Sequence, residues 1–400
     1  MPEKTRKMNL PYAAMQGLYW LSYCSVVSFA VVVLQDRGYT NSVIGILLAS
    51  VNILSYFLSG YLSDLIDRLD RVTVFTMLPV PLIMQALGLV LLLFAPGKSP
   101  LALIAFGLAM TAVQIRNPLI IQTSVFLQYY GGELNFSICR AGGSLSYMLG
   151  STVLGWLLTR MSSAVLTWAG LLFALLQCLL DMHIRRLCPS GASKPSQLEG
   201  RASSAGEFIR ENPRFTLMVL GAALIFFGHN VVNNYLINVT RYLGGDEATM
   251  GFIGGLAATY EIPVMILLLP VLKKWKLSLS TAMKVSFVAF AAKNILIAFA
   301  SSVTGFCAAL SLQGLSYAVF IAAGVPYVKQ TIPGKDAAKA QAFLANVTLI
   351  GAAMSGLLGG RLYDSFGVRT VLAVSAAVVT LGAFISLTGV QKSEPAAENI

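Results

Sequence analysis

The chain has 400 residues, 56% of them hydrophobic and only 11% charged, and carries a formal net charge of +11. Soluble domains average near 25% charged residues, so this composition excludes an ordinary soluble protein and points to an integral membrane protein. The basic excess is spread over many short polar stretches instead of one stripe, which argues against a nucleic-acid-binding surface.

Apolar segments recur at 12–34, 40–62, 72–95, 100–129, 134–160, 163–184, 215–239, 248–272, 279–300, 303–328, 337–362 and 366–390. Each is near the ~20 residues a helix needs to cross the hydrocarbon layer, and their unbroken apolar character disfavours tilted barrel strands of about ten alternating residues. The expected fold class is an all-α membrane protein with 12 transmembrane helices. Met1 to Leu10 is basic, and the apolar run behind it is too long for a typical signal-peptide core, so it is expected to remain as the first span. Basic residues favour cytoplasmic loops. With the N-terminus inside, nineteen Lys and Arg residues fall on the inner side, and Arg37, Lys98, Arg160, Arg241, Arg361 and Arg369 fall outside. Both termini are therefore expected in the cytoplasm, with the chain in the cell (inner or plasma) membrane.

The longest polar stretch, residues 185–214, is rich in Pro, Gly and Ser and reads as a flexible cytoplasmic linker. It divides a six-helix bundle at 1–184 from a second at 215–400. Gly155-Trp156-Leu157-Leu158-Thr159-Arg160 is echoed by Gly360-Arg361-Leu362-Tyr363-Asp364-Ser365, an offset of 205 that also carries Tyr12 to Leu217. The halves thus read as parallel repeats, an arrangement that places solute near the midplane at the repeat interface.

Polar residues inside the spans are the candidates for function. On the first span Gln16, Tyr19, Trp20 and Tyr23 form a polar-aromatic stripe that serves packing or ligand contact. Arg116 on the fourth precedes Asn117-Pro118, which reads as a helix break freeing carbonyls; the Arg binds solute or one of those carbonyls. Arg140 on the fifth shares a face with Ser144, Tyr147 and Ser151. Its forked donors suit hydroxyls or carboxylates, and the Tyr147 ring can stack on a sugar or aromatic ligand; the alternative is an Arg snorkelling to the interface. Asp181 and His183 close the sixth span and read as interfacial.

The seventh span carries Asn230, Asn233, Asn234 and Asn238, mostly on one face, forming either a wet cavity wall or interhelical hydrogen bonds. His229 beside them reads as a packing or hydrogen-bonded histidine. Of the 17 acidic residues, Glu261 alone lies deep in an apolar run, Met250 to Leu272. A mid-membrane carboxylate costs roughly 2.5 to 3.5 kcal/mol on insertion scales and marks a functional site by default. Lys293 on the ninth span either ties it structurally or modulates a carboxyl that loads and releases a proton as its surroundings change. Gln313, Ser316 and Tyr317 repeat the polar-aromatic stripe on the tenth. Arg116, Arg140 and Lys293 against Glu261 leave a formal interior charge of +2.

The five cysteines show no metal or redox spacing, and there is no phosphate loop and no nucleophile paired with a base. No cofactor, no metal and no enzyme activity is expected.

Gly60-Tyr61-Leu62-Ser63-Asp64, followed by Arg68 and Arg71, resembles the loop between helices 2 and 3 of the major facilitator superfamily, although Leu65-Ile66-Asp67 interrupts the usual spacing. Leu34-Gln35-Asp36-Arg37-Gly38 with Ile44 to Ala49 resembles the helix 1 to 2 junction of its proton-coupled branch, which contains lactose permease, nucleoside symporters and phenylpropionate permease-like proteins. Arg140 to Tyr147, and Tyr260-Glu261-Ile262-Pro263 with Lys293, resemble that branch on helices 5, 8 and 9. The resemblance implies a transporter fold of two six-helix bundles, a conformational loop at Gly60, Asp64, Arg68 and Arg71, and a Glu261 and Lys293 coupling pair. Departures are equally specific. Gln122 stands where lactose permease has a helix 4 Glu, Ser316 and Val319 where it has a helix 10 His and Glu, and Asn230 and Asn233 where it has helix 7 acids.

The expected function is secondary transport of a small polar or anionic organic solute by alternating access with proton symport. Glu261 and Lys293 are the coupling pair. Arg140, Arg116, Tyr147, Ser144, Gln122, Asn230, Asn233, Asn234, Tyr19, Tyr23, Tyr260, Gln313 and Tyr317 are the expected solute contacts. The alternatives are a drug/proton antiporter, against which the positive interior argues, and a non-transporting receptor or scaffold. The expected partners are solute, proton and the lipid bilayer; a monomer suffices.

Overall fold

The computed structural model describes residues 8–68, 73–129, 134, 136–187, 205–332 and 336–394. The described residues are almost wholly helical, as a bilayer demands, because hydrocarbon offers the backbone no hydrogen-bond partners. Ten stretches are long and apolar enough to cross a membrane. The first six helices are α1 Asn9–Asp36, α2 Asn41–Arg68, α3 Val74–Phe94, α4 Pro100–Tyr129, α5 Phe136–Leu158 and α6 Ala164–Leu187. They are followed by α7 Pro213–Asn234, α8 Glu247–Lys274, α9 Leu279–Phe299 and α10 Val303–Thr331. The last stretch, Lys339–Gly389, spans 51 residues and is broken at Gly367 (φ +72°). It is therefore two passes, α11 from Ala337 to the break and α12 over 368–389. With α5 the total among the described residues is twelve. Phe57, Ile83, Ile104, Leu220 and Phe384 lie bare on the outside, where lipid and not water is the solvent.

The chain forms two compact units, Met1–Gln197 with Glu247–Gly255, and Leu198–Asp246 with Leu256–Ile400. In the first, Gln85 on α3 donates to Ser22 Oγ on α1 (2.8 Å) and to the Gly170 carbonyl on α6 (2.9 Å). Gly155 of α5 lets the backbone of Gly251 approach so closely that an added Cβ would sit 2.9 Å from its Cα, and Ser151 Oγ donates to the Gly251 carbonyl (2.8 Å). In the second, aromatic and aliphatic side chains of α7, α9, α10 and α11 make a continuous core around Phe226, Phe287, Phe290 and Phe320.

The two halves end their first helices in the same way. The Gly38 and Tyr39 N–H groups close on the Gln35 and Leu34 carbonyls, and those of Gly244 and Gly245 close on Arg241 and Thr240. Gly38 and Gly244 both adopt φ +84°, the left-handed cap that a Cβ disfavours. Helical geometry also lapses at Phe29 and at Tyr235. Each pair lies 206 residues apart, within one residue of the 205-residue offset seen in the sequence.

Three single wide π turns, Cys24–Ser28, Gly314–Ala318 and Ser355–Gly359, interrupt α1, α10 and α11; such turns cluster at functional sites. Two sequence expectations are corrected. α4 runs unbroken through Pro118. The polar stretch 185–214 is not all irregular, since Ala205–Glu211 is helical, with Phe208 buried and stacked on Phe343 (5.3 Å).

Small residues set the spacing of α7 and α12. A Cβ on Gly382 would lie 2.6 Å from the Gly221 carbonyl and 2.9 Å from Leu224 Cβ. Backbone cannot yield as a flexible side chain does, so Gly382→Ala is expected to cost about 1 to 3 kcal/mol, read as a lower thermal midpoint of the purified protein.

Candidate functional site

In the second unit, four helices bring one chain of polar side chains together below the membrane surface. Gln313 on α10 donates through Nε2 to Glu261 Oε1 on α8 (2.9 Å), and its Oε1 accepts from Lys293 Nζ on α9 (2.7 Å). Lys293 is 1% exposed, and its ammonium also lies 3.2 Å from His229 Nδ1 on α7 and 4.9 Å from the Phe290 ring centre. An ammonium only donates, so Nδ1 accepts and the neutral ring carries its proton on Nε2. Asn233 Nδ2 lies 2.8 Å from Nε2, and a half-turn of that amide presents its oxygen to the Nε2 proton, satisfying both groups. Tyr317 stacks on His229 at 5.6 Å, and Phe226 and Phe290 meet its edges. His229, expected as a packing or hydrogen-bonded histidine, is both, and its partner is Lys293.

The other expected contacts of this unit divide. Asn230 Nδ2 bonds back to the Phe226 carbonyl of its own helix (2.8 Å), and Asn234 Nδ2 reaches Ser355 Oγ on α11 (3.2 Å). The amide face of α7 is therefore partly interhelical bonding, and Asn233 is its exposed member. Tyr260 is half-buried beside Glu261.

In the first unit, Arg140 lies 4.3 Å from the centre of the Trp20 ring and donates to Ser144 Oγ (3.0 Å). Gly143 makes the approach of Trp20 to α5 possible, since a Cβ there would fall 2.6 Å from the indole. Tyr147 meets Trp20 edge-on and shares a hydrogen bond with Ser28 (3.0 Å); Tyr23 packs on Trp20 at 5.1 Å. Buried among these helices, Gln16 Oε1 and Trp20 Nε1 have no hydrogen-bond partner among the described residues. Unsatisfied buried polar atoms are costly, and here one is an acceptor and the other a donor. Tyr19 is 2% exposed and packs edge-on against Trp20 at 5.3 Å. Gln122 Nε2 donates to Ser63 Oγ of α2 (2.8 Å).

Arg140→Lys keeps the charge but loses the planar stack and fork. Solute uptake at limiting concentration is expected to fall about tenfold, the equivalent of ~1.4 kcal/mol for a half-buried cation–π contact; initial-rate measurements in proteoliposomes check this.

Arg116 requires a correction. Its Nη2 reaches Asp181 Oδ1 and Oδ2 (2.9 and 2.8 Å), its Nη1 the Leu78 carbonyl (2.8 Å) and its Nε Gln177 Oε1 (2.7 Å). The guanidinium is 1% exposed. Its donors tie α4 to α3 and α6, so it is an internal strut and not a solute anchor. Asp181, expected as interfacial, is buried against that guanidinium, whereas His183 is exposed. Counting Asp181 lowers the interior balance from +2 to a single positive charge. Gly60 and Asp64, expected in a loop, are exposed residues of the last part of α2 itself; Arg71 and the side chain of Arg68 lie outside the described residues.

Comparison with known proteins agrees with this architecture. The chain is 29% identical over 250 residues to a Deinococcus radiodurans protein provisionally named as a sugar efflux transporter; the match spans 62% of each chain. Its fold is similar to that of nucleoside transporter NupG, with TM-score 0.77 and 15% identity over 96% of this chain and all of that one. It is also similar to a bacterial homologue of the human lysosomal transporter Spinster in an inward-facing conformation, with TM-score 0.67 and 13% identity over 96% of each chain. These relatives are transporters, not enzymes. The sequence profile of the MFS_1-like family matches residues 12–374. The chain belongs to that family and is a multi-pass transporter of the major facilitator superfamily.

Proposed function

We propose that the protein carries a small polar organic solute by alternating access and couples that movement to a proton. The carrying observation is the Glu261, Gln313, Lys293 and His229 chain in the second unit. Buried ionisable groups give little net stability, and in a membrane they mark proton and solute pathways. Glu261 is the proton-binding acid and Lys293 its modulator.

The solute is bound by Arg140, Trp20, Tyr147, Tyr23 and Gln16 of the first unit. An aromatic face with one unpartnered acceptor and one unpartnered donor suits a ring that carries hydroxyls. Sugar and nucleoside, the solutes in the names of two relatives, both fit that description. An interior with one net positive charge also accepts an anionic solute and disfavours cationic drugs. Gly60 and Asp64 stand near the end of α2, before the connection that moves between states, and both termini are cytoplasmic.

The name of the Deinococcus relative favours a second reading of direction, proton-driven efflux. Thermal-shift screening of the purified protein against sugars, nucleosides and aromatic acids at two pH values should identify the solute class. Uptake by right-side-out and inverted vesicles under an imposed pH gradient then gives direction. Flux of an identified solute that ignores the gradient in both orientations excludes proton coupling.

A further inference from the structure

Three local devices converge on Gln313. Gly314 leaves room for α10 to press against α8, since a Cβ there would lie 2.6 Å from the Tyr260 carbonyl, one residue from Glu261. The wide turn Gly314–Ala318 begins directly after Gln313. Ser286 of α9 donates to the Ser316 carbonyl within that turn (2.6 Å) and fixes α10 against α9. The amide is consequently held between an acid and a base while only 5% exposed.

We infer that Gln313 is a positioning residue that joins Glu261 and Lys293 into one titrating unit, a role that rests on the proton-coupled reading above. An amide has one donating and one accepting end. Its observed orientation matches a carboxylate at Nε2 and an ammonium at Oε1, and each end fixes what the other can satisfy. When Glu261 takes a proton from water, the O–H formed on the carboxyl group removes the charged acceptor at Nε2. The amide then keeps only a weaker, neutral acceptor at Nε2, or turns so that its oxygen accepts from the new O–H and stops accepting from Lys293. The state of the acid is thereby reported to Lys293 and, through Nζ, to His229. Among the described residues, the titratable groups facing this amide and its partners include Glu261 on α8, Lys293 on α9, His229 on α7 and Tyr317 on α10. Interacting sites of this kind titrate as a pair and not singly.

The test is infrared titration of the full-length protein in lipid vesicles. The Glu261 signal is the protonated-carboxyl stretch that disappears in Glu261→Gln. Its midpoint is expected to move by about one pH unit or more in Gln313→Leu. Lys293→Met is expected to shift the midpoint in the parent protein and to shift it at most half as far in the Gln313→Leu background. Gln313→Met, closer in length and volume, replaces Leu if that variant does not fold. An unmoved Glu261 midpoint, or an undiminished effect of Lys293→Met, overturns the bridge; a packing role alone leaves both unchanged. The readout needs no solute. A shifted midpoint without proton-driven accumulation retains the bridge and rejects the transport reading, and proton-driven accumulation with an unmoved midpoint does the reverse.

Discussion

Glu261→Gln should abolish solute accumulation driven by a pH gradient while exchange of internal for external solute continues. The substitution is nearly isosteric, and a Gln side-chain oxygen still accepts from Gln313 Nε2, which reaches Glu261 Oε1 at 2.9 Å in the parent. What disappears is a group that binds a proton. A ligand biases a conformational equilibrium only through differential affinity for the two states, and a side chain without a titrating proton offers no such difference. The accumulation ratio under an imposed gradient is therefore expected to fall to roughly one, and the residual exchange should become insensitive to pH between the values at which the parent changes most. Proteoliposomes loaded with the solute identified by thermal shift give both numbers in one preparation. Undiminished accumulation by this variant removes Glu261 from the coupling mechanism.

Asp181→Ala is the second large effect, and it concerns stability. The carboxylate meets a guanidinium that is 1% exposed and whose other donors are occupied by Gln177 and Leu78. Removing the acid leaves a buried cation uncompensated, which costs about 3 to 5 kcal/mol. Expression and thermal midpoint should both fall sharply. The double replacement Arg116→Met with Asp181→Leu removes both charges at similar volume and is expected to recover most of the loss, because an apolar pair can be nearly neutral relative to a buried ion pair. Solute selectivity should survive in that double variant. A well-folded double variant that no longer binds solute would return Arg116 to the binding site.

What the sequence made legible follows from physics that acts locally or over a fixed length. The spans were readable because a bilayer imposes about twenty apolar residues on every crossing. Arg140 and Ser144 pair at a helical spacing of four, a relation visible along one face. Contacts between distant segments were not legible. Arg116 and Asp181 are 65 positions apart, and Asp181 lies one turn before Arg185 and Arg186, so it looked like part of a basic helix end. A usable signal existed nonetheless, because Gln177 and Asp181 are four apart and offer an amide and an acid on one face of α6. His229 and Lys293 are separated by 64 positions, and nothing beside either residue in the chain announces the other. The α10 stripe misled for another reason. Gln313 and Tyr317 look equivalent at a spacing of four, yet the wide turn starts just after one and takes in the other, and one meets Glu261 while the other covers His229.

That turn in α10 holds one residue more than an ordinary helical ladder needs, and the extra residue is stored slack. Tightening it, or passing the bulge one turn along, rotates the segment on one side by about 100° relative to the other without unwinding the helix. Gln313 stands at the edge where such a rotation begins, so a small slip there would swing the amide out from between its acid and base and return it intact, a ratchet requiring no displacement of the helix as a whole.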